Sequence, residues 1–201
     1  LDAETLQEFI KAHQARKAEY DELENLYIGK HPILDQAPKA AYKPDNRLVV
    51  NFPKYIVDTF NGFFMGKPVK VTHDDMATNE FLDVLHKMNN QDDNNAEMSK
   101  MCDIFGHAYE LVFTDEEGEI GIAPLDPREA FIIVDNSIRK RTLFGVRYYK
   151  RGEDIVGTIS DSHQITDFII GDDDLKFGEV TPHQFGDVPM IEYVANKERQ
   201  G

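Results

Sequence analysis

Gly66-Lys67, in the stretch MGKP, is the first place where this sequence could bind a phosphate. A nucleotide loop needs Gly, four residues, then Gly-Lys-Ser/Thr, because backbone N–H groups cradle the phosphates and the hydroxyl binds the metal. Here Gly62 stands too close. Pro68 occupies the hydroxyl position and also removes a backbone donor. The spacing excludes a phosphate loop.

Carboxylates are abundant, with 37 Asp and Glu, but two runs stand out: Asp172, Asp173 and Asp174 in GDDDLKFGE, and His73, Asp74 and Asp75 in THDD. Calcium loops alternate their ligands with turn residues and finish on a glutamate, and neither run has that frame. They read as solvated turns that end strands. The seven histidines (His13, His31, His73, His86, His107, His163 and His183) are dispersed, with no HExxH and no His/Cys pair at zinc spacing. Cys102 is the single cysteine, so no intrachain disulfide can form, and its place in a helical apolar pattern predicts a packed thiol rather than a nucleophile. There is no GxSxG elbow. The sequence assigns no catalytic, cofactor-binding or metal-ligating residue, and no cofactor.

The elements that would have to position any chemistry run helices first and strands after. Ala3 to Tyr27 reads as one long amphipathic helix with Leu6, Phe9, Ile10, His13, Tyr20 and Tyr27 on one side, stopped near Gly29. Residues 30–46, KHPILDQAPKAAYKPDN, hold three prolines and no period, which predicts an extended connector. After a Phe-rich helix, PVKVT is a short strand candidate. MATNEFLDVLHKMNN has helical spacing. A further helix is expected from Asn94, where Asn94 and Glu97 stand at capping-box separation and Met98, Met101, Cys102 and Phe105 share a face.

From His107 the period becomes extended. HAYELVF, EIGIAPL, AFIIVD, TLFGVRYYKR, DIVGTIS, HQITDFII, LKFGEVTPH and VPMIEYV follow at short intervals, broken by Gly, Asp and Asn. The expected fold class is α+β: N-terminal amphipathic helices, then a mainly antiparallel β-sheet. The expected organisation is an N-terminal helix over 1–29, the connector over 30–46 and an α+β body over 47–201.

The Phe-rich helix lies in NFPKYIVDTFNGFFMGKPVKV, Asn51 to Val71. With Phe52 at zero, Phe52, Ile56, Val57, Phe60, Phe63 and Phe64 fall within an arc of about 140°, with Lys54, Asp58 and Asn61 opposite. Pro53 suits the first turn and Gly66 the stop. About fourteen residues at 1.5 Å each span roughly 21 Å, short of the ~30 Å of a bilayer core, and Asp58 adds to the argument against a membrane span. The expectation is a docking helix whose face Phe52, Ile56, Phe60, Phe63 and Phe64 packs on the sheet of its own chain or meets another subunit.

Composition frames these readings. The chain has 201 residues, 41% hydrophobic and 29% charged, a net charge of −15 and seven histidines. Its pI is about 4.8 and its mean hydropathy −0.49. That describes a folded protein with a wet surface, whose field repels polyanions and disfavours an ordinary phosphate-tracking nucleic-acid binder. The lone cysteine gives no sign of an oxidising compartment. LDAETLQEFIKAHQ lacks the basic-then-apolar order of a signal peptide, and without an initial Met the N-terminus reads as trimmed.

Several stretches in order carry a resemblance: RLVVNFPKYIVDTFNGFFMGKPVKV, then DIFGHAYELVFTDEEGEIGIAPLDPREAFIIVD, then GVRYYK, and finally HQFGDVPMIEYVANKERQG. From about Tyr27 to Gly201 the sequence resembles the tailed-bacteriophage portal protein family, in the branch common among long-tailed phages of Gram-positive hosts. Its most specific parts are N-x-x-K-x-I-V-D-x-x-x-G-x-x-x-G-K-P, the Gly106-His-Ala-Tyr-Glu strand start, and the D-P-R-E-x-F turn at Asp126 to Phe131.

The resemblance implies a ring homo-oligomer at one capsid vertex, a structural part and not an enzyme, through which double-stranded DNA is packaged and later ejected without specific binding. In this family the ATPase is a partner, the terminase large subunit, which agrees with the missing phosphate loop. This stretch would form the peripheral wing, and ANKERQG falls about where the channel-lining stem would begin. The parts that meet terminase, head-completion and scaffold or capsid proteins would come mostly later, so no DNA-contacting residue is carried over. The implied location is the virion portal vertex, assembled in host cytoplasm, with no membrane. The stretch alone is expected to be monomeric or weakly associated, and its acidity to reduce adhesion to moving DNA. Rival readings are a stand-alone hydrolase or transferase with an unrecognised acidic site, and another capsid or tail adaptor.

Overall fold

A computed structural model describes residues 1–172 and 174–195. Five helices precede eight strands: α1 (Ala3–Ala15), α2 (Lys17–Tyr27), α3 (Phe52–Phe64), α4 (Met76–Met88), α5 (Gln91–Phe105), β1 (His107–Thr114), β2 (Ile120–Leu125), β3 (Ala130–Val134), β4 (Thr142–Arg151), β5 (Asp154–Ser160), β6 (Gln164–Gly171), β7 (Asp174–Pro182) and β8 (Met190–Val194). The α+β class and its helices-then-strands order are as the periodicity predicts. Asp173 and most of ANKERQG lie outside the described residues.

The strands form two antiparallel sheets where one was expected. Strands β3 to β7 make a five-stranded meander in chain order, whereas β8 returns to pair with β1 in a three-stranded sheet ordered β2-β1-β8. Hairpin spacing cannot reveal such a return, because it joins strands far apart in sequence. Gly145 of β4 lies against Met190 of β8, where an added Cβ would stand 2.6 Å from the Met190 Cβ, so the two sheets abut closely there.

The N-terminal segment is two helices, not one. Asp2 caps α1 by accepting from the Thr5 N–H at 2.8 Å, and the helix ends at Arg16, whose N–H bonds back to His13 O at 3.0 Å. Leu6, Ile10 and His13 point into the body, Leu6 and Ile10 entering the cluster formed by Phe131, Val146, Phe168 and Leu175 of the five-stranded sheet. Tyr20 instead meets His107 of the three-stranded sheet. A straight helix cannot follow both sheets, and the break at Arg16 redirects it. The joint contains no Gly or Pro, so periodicity runs through it unbroken. Phe9, expected on the buried face, is exposed.

Residues 30–46 contain one 3-10 turn, Pro32–Asp35, and are otherwise irregular and, apart from half-buried His31, exposed. PVKVT does not form a strand: Val69 and Val71 are exposed and no neighbouring strand pairs with them. The capping-box reading at Asn94 also fails. Helix α5 starts at Gln91 behind left-handed Asn90 (φ 50°), and Asn94, already inside the helix, donates to Asn89 O at 2.8 Å and Ile122 O at 3.1 Å. The helix ends on Gly106, whose φ of +83° is the left-handed conformation glycine adopts without a Cβ penalty, and β1 starts at the next residue.

Candidate functional site

Helix α3 turns its phenylalanines away from the body. Asn51 caps it, accepting from the Lys54 N–H at 3.1 Å while donating to Tyr27 O at 2.8 Å. One turn on, the Tyr27 hydroxyl donates to Asp58 at 2.8 Å, and Lys54 donates to the same hydroxyl at 3.1 Å and pairs with Asp58 at 2.8 Å. The Lys54 ammonium also lies 4.6 Å from the centre of the Tyr27 ring. The hydrogen bond from Lys54, then that from Tyr27, holds the Asp58 carboxyl below its ordinary pKa. The helix rests on α2 and α5 along Pro53, Val57, Asn61 and Met65, its half-buried line.

The aromatic face therefore does not pack on the chain's own sheet: the inward line is Pro53, Val57, Asn61 and Met65, with Lys54 and Asp58 exposed at its margin. Among Phe52, Ile56, Phe60, Phe63 and Phe64, Phe60 is the least exposed at 54% and Phe63 the most at 89%. Phe60 and Phe64 stack with centroids 6.0 Å apart and planes 13° from parallel. The periodicity of Asn51 to Phe64 locates a two-faced helix but cannot say which face goes inward. The residues that decide it, Tyr27 on α2 and Asp58 on α3, are 31 positions apart. Gly66 closes the segment against the helix end, where an added Cβ would stand 2.5 Å from Gly62 O.

A second constellation gathers titratable groups on β1 and β8. Alternation along β1 sends His107 and Tyr109 to one side and Glu110 to the other. Glu192, opposite Tyr109 in register, accepts from the Tyr109 hydroxyl at 3.0 Å and lies 3.2 Å from His107 Nδ1, while His107 Nε2 meets the Tyr20 hydroxyl at 2.9 Å. The His107 hydrogen bond lowers the Glu192 pKa against the opposing effect of burial. Burial raises the Tyr109 hydroxyl well above its ordinary value, with Glu192 adding to it. Carboxylate, imidazole and phenol in a row resemble an acid/base relay. Tyr20 is buried, however, so the row ends inside the protein and fastens α2 to the sheet. On the opposite side Glu110 accepts from Gln91 at 3.0 Å and Tyr193 at 3.0 Å, fastening α5.

The D-P-R-E turn is a third such fastening. Arg128 bonds its own turn partner Asp126, with Nη2 at 2.6 Å from Oδ2, and reaches α2 through Glu24 and, at 3.5 Å, Asp21. Its guanidinium carbon lies 5.6 Å from the Phe105 ring centre. Burial pushes the Asp126 carboxyl up, but the Arg128 bonds outweigh it and the pKa falls below the ordinary value. The sequence marks Asp126 to Phe131 as a turn without showing that Arg128 spans to α2.

The other candidates have local roles. Asp75 caps α4 through the Thr78 N–H at 2.8 Å. Cys102 is half-buried, its thiol 3.6 Å from Tyr193 O, and burial pushes its pKa up to about 11, opposite to an activated nucleophile. Among the described residues no group of three or more His, Cys, Asp or Glu is placed to hold a metal, and no helix is long and apolar enough to cross a membrane. Among the described residues, the outward face of α3 is an apolar face left exposed, as are Met76, Phe81, Val84 and Met88 on α4.

The family described as "Phage portal protein, SPP1 Gp6-like" matches residues 6–201. The chain is similar to the portal protein of Bacillus phage SPP1, at 29% identity over 107 residues, which cover 53% of this chain and 21% of that protein. The match thus spans about a fifth of the relative's length.

Proposed function

Because this chain belongs to the phage portal protein family, we propose that it is the peripheral wing of a portal subunit, part of a ring at the capsid vertex through which DNA is packaged and ejected. The family match over residues 6–201 carries this reading. The architecture suits it: side-chain ties join α2 to the D-P-R-E turn and the three-stranded sheet, and α1 packs into the five-stranded sheet. Such ties favour a stiff structural part. The family is structural and non-enzymatic, and the ordered polar clusters described above act as fastenings.

Partners follow from the same reading: further copies of the subunit, the terminase large subunit, head-completion proteins, and scaffold or capsid proteins. The location is the virion portal vertex, with assembly in host cytoplasm. The net charge of −15 keeps passing duplex DNA from adhering. Duplex binding by this chain at micromolar affinity and physiological salt would overturn that role of the charge. Electron microscopy of the longer polypeptide tests the whole reading: rings with a central hole are expected, and compact monomers would remove it.

A further inference from the structure

We propose that the outward face of the five-stranded sheet holds a docking groove for an extended acidic peptide, a segment of another protein with carboxylates four residues apart and an apolar residue midway between them. The inference goes beyond the portal reading and does not depend on it.

Strand β4 supplies the basic side of the groove. Val146 and Tyr148 point into the core, so alternation sends Arg147, Tyr149 and Arg151 to the opposite face. Asn136 to Gly152 contains six basic residues and no acidic one, in a chain where 37 carboxylates outnumber 22 bases, so no acidic neighbour in sequence neutralises these arginines. Among the described residues, no salt bridge or hydrogen bond engages the Arg147 or Arg151 guanidinium. The guanidinium carbon of Arg147 instead lies 5.6 Å from the Tyr149 ring centre, which keeps that side chain over the sheet. The cavity beside β4 has a volume of about 360 Å³, within the ~300–1,000 Å³ of ordinary ligand clefts. Its floor is apolar: Val156 of β5 stands in register with Tyr149, and Ile169 of β6 in register with Val156.

Spacing and charge choose the occupant. Arg147 and Arg151 are four residues apart on one strand, so about 13 Å separates their Cα atoms at ~3.3 Å per residue. Carboxylates at i and i+4 of an extended peptide stand the same distance apart, and residue i+2 faces the same way, over Tyr149 and the apolar floor. A helix sets its i and i+4 carboxylates only about 6 Å apart, a mismatch of roughly 7 Å. Longer polyanions are disfavoured by the far side of the groove, where Asp167 and Glu179 stand, and by the net charge of −15. A duplex lying across the sheet would meet those carboxylates. One extended segment along β4 meets the two guanidiniums and leaves Asp167 and Glu179 to reject misplaced anions.

Fluorescence anisotropy tests this, with the 201-residue chain titrated into a fluorescein-labelled peptide that repeats Glu-Thr-Leu-Thr and ends on Glu. The expected result is saturable binding at low salt that weakens about ten-fold or more in ~0.5 M salt. Arg147→Gln and Arg151→Gln should each raise the dissociation constant about ten-fold while leaving the circular dichroism and melting curve unchanged, since neither guanidinium bonds within the chain. Arg139→Gln, at an exposed base before β4 and outside the groove, should bind like the parent. A peptide of the same composition with its glutamates in one run should bind about five-fold more weakly or worse. No saturation at about 1 mM chain, equal binding of the two peptides, or parent-like binding by Arg147→Gln and Arg151→Gln would overturn the inference. So would tighter binding of a short DNA duplex than of the peptide at the same salt, which would make the groove a phosphate contact.

Discussion

The Tyr27 hydroxyl donates to the Asp58 carboxylate across 2.8 Å, and this bond, braced by Lys54, sets which way α3 faces. Remove the hydroxyl and the helix loses the contact that offsets the exposure of its phenylalanines. In Tyr27→Phe, amide hydrogen exchange within α3 should accelerate about five-fold or more, as the loss of one hydrogen bond of ~1 kcal/mol implies. Exchange in the β4–β5 hairpin should not change. Equal exchange in both proteins would show that apolar contacts along Val57 orient the helix by themselves.

Leu6, fully buried, inserts into the five-stranded sheet of its own chain. Leu6→Ala should lower unfolding stability by about 2–5 kcal/mol in urea, the usual range for a cavity left by a buried leucine. The loss should be independent of protein concentration. A loss that vanished on dilution would mean that α1 docks on a neighbouring copy.

These two contacts mark how far the sequence can be read. Leu6, Ile10, His13 and Tyr20 are legible as a buried helical face because helical periodicity is local, and the strands from His107 onward are legible because alternation is local too. The direction of α3, the split at Arg16, the return of β8 to β1 and the reach of Arg128 to Glu24 depend on residues 31 to 135 positions apart. No local pattern encodes them. The α3 face was visible in the sequence as a set of residues. Its outward orientation was not, because that depends on Tyr27.

Arg128 joins the Asp126 turn to Glu24 and Asp21 of α2 by a planar fork that an ammonium cannot reproduce. Arg128→Lys should therefore destabilise the fold by about 1 kcal/mol despite keeping the charge. Trypsin should cut faster in the 16–30 segment. If Arg128→Lys melts like the parent, the charge alone suffices and the fork geometry is incidental.

His13 sets the acid limit of the same N-terminal docking. Its ring stacks on Phe131 with centroids 4.8 Å apart, and its Nδ1 lies 2.7 Å from the Tyr148 hydroxyl. Burial pushes the imidazole pKa from 6.5 down to about 4. The unfolded chain takes up this proton near pH 6.5 and the folded chain only near pH 4, so the unfolded state binds more protons between those values and stability falls as pH drops through the window. The stabilising effect of a neutral His13 is complete above pH 6.5 and gone by about pH 4. Glu192 and Asp126, whose pKa values are held low, lose their contributions only below the ordinary carboxylate range. Thermal melting from pH 7 to pH 5 should accordingly show a falling Tm in the parent and a nearly flat one in His13→Phe, which keeps the stacking on Phe131 but cannot take a proton. Parallel curves for the two proteins would move the acid sensitivity to another group and leave His13 as packing alone.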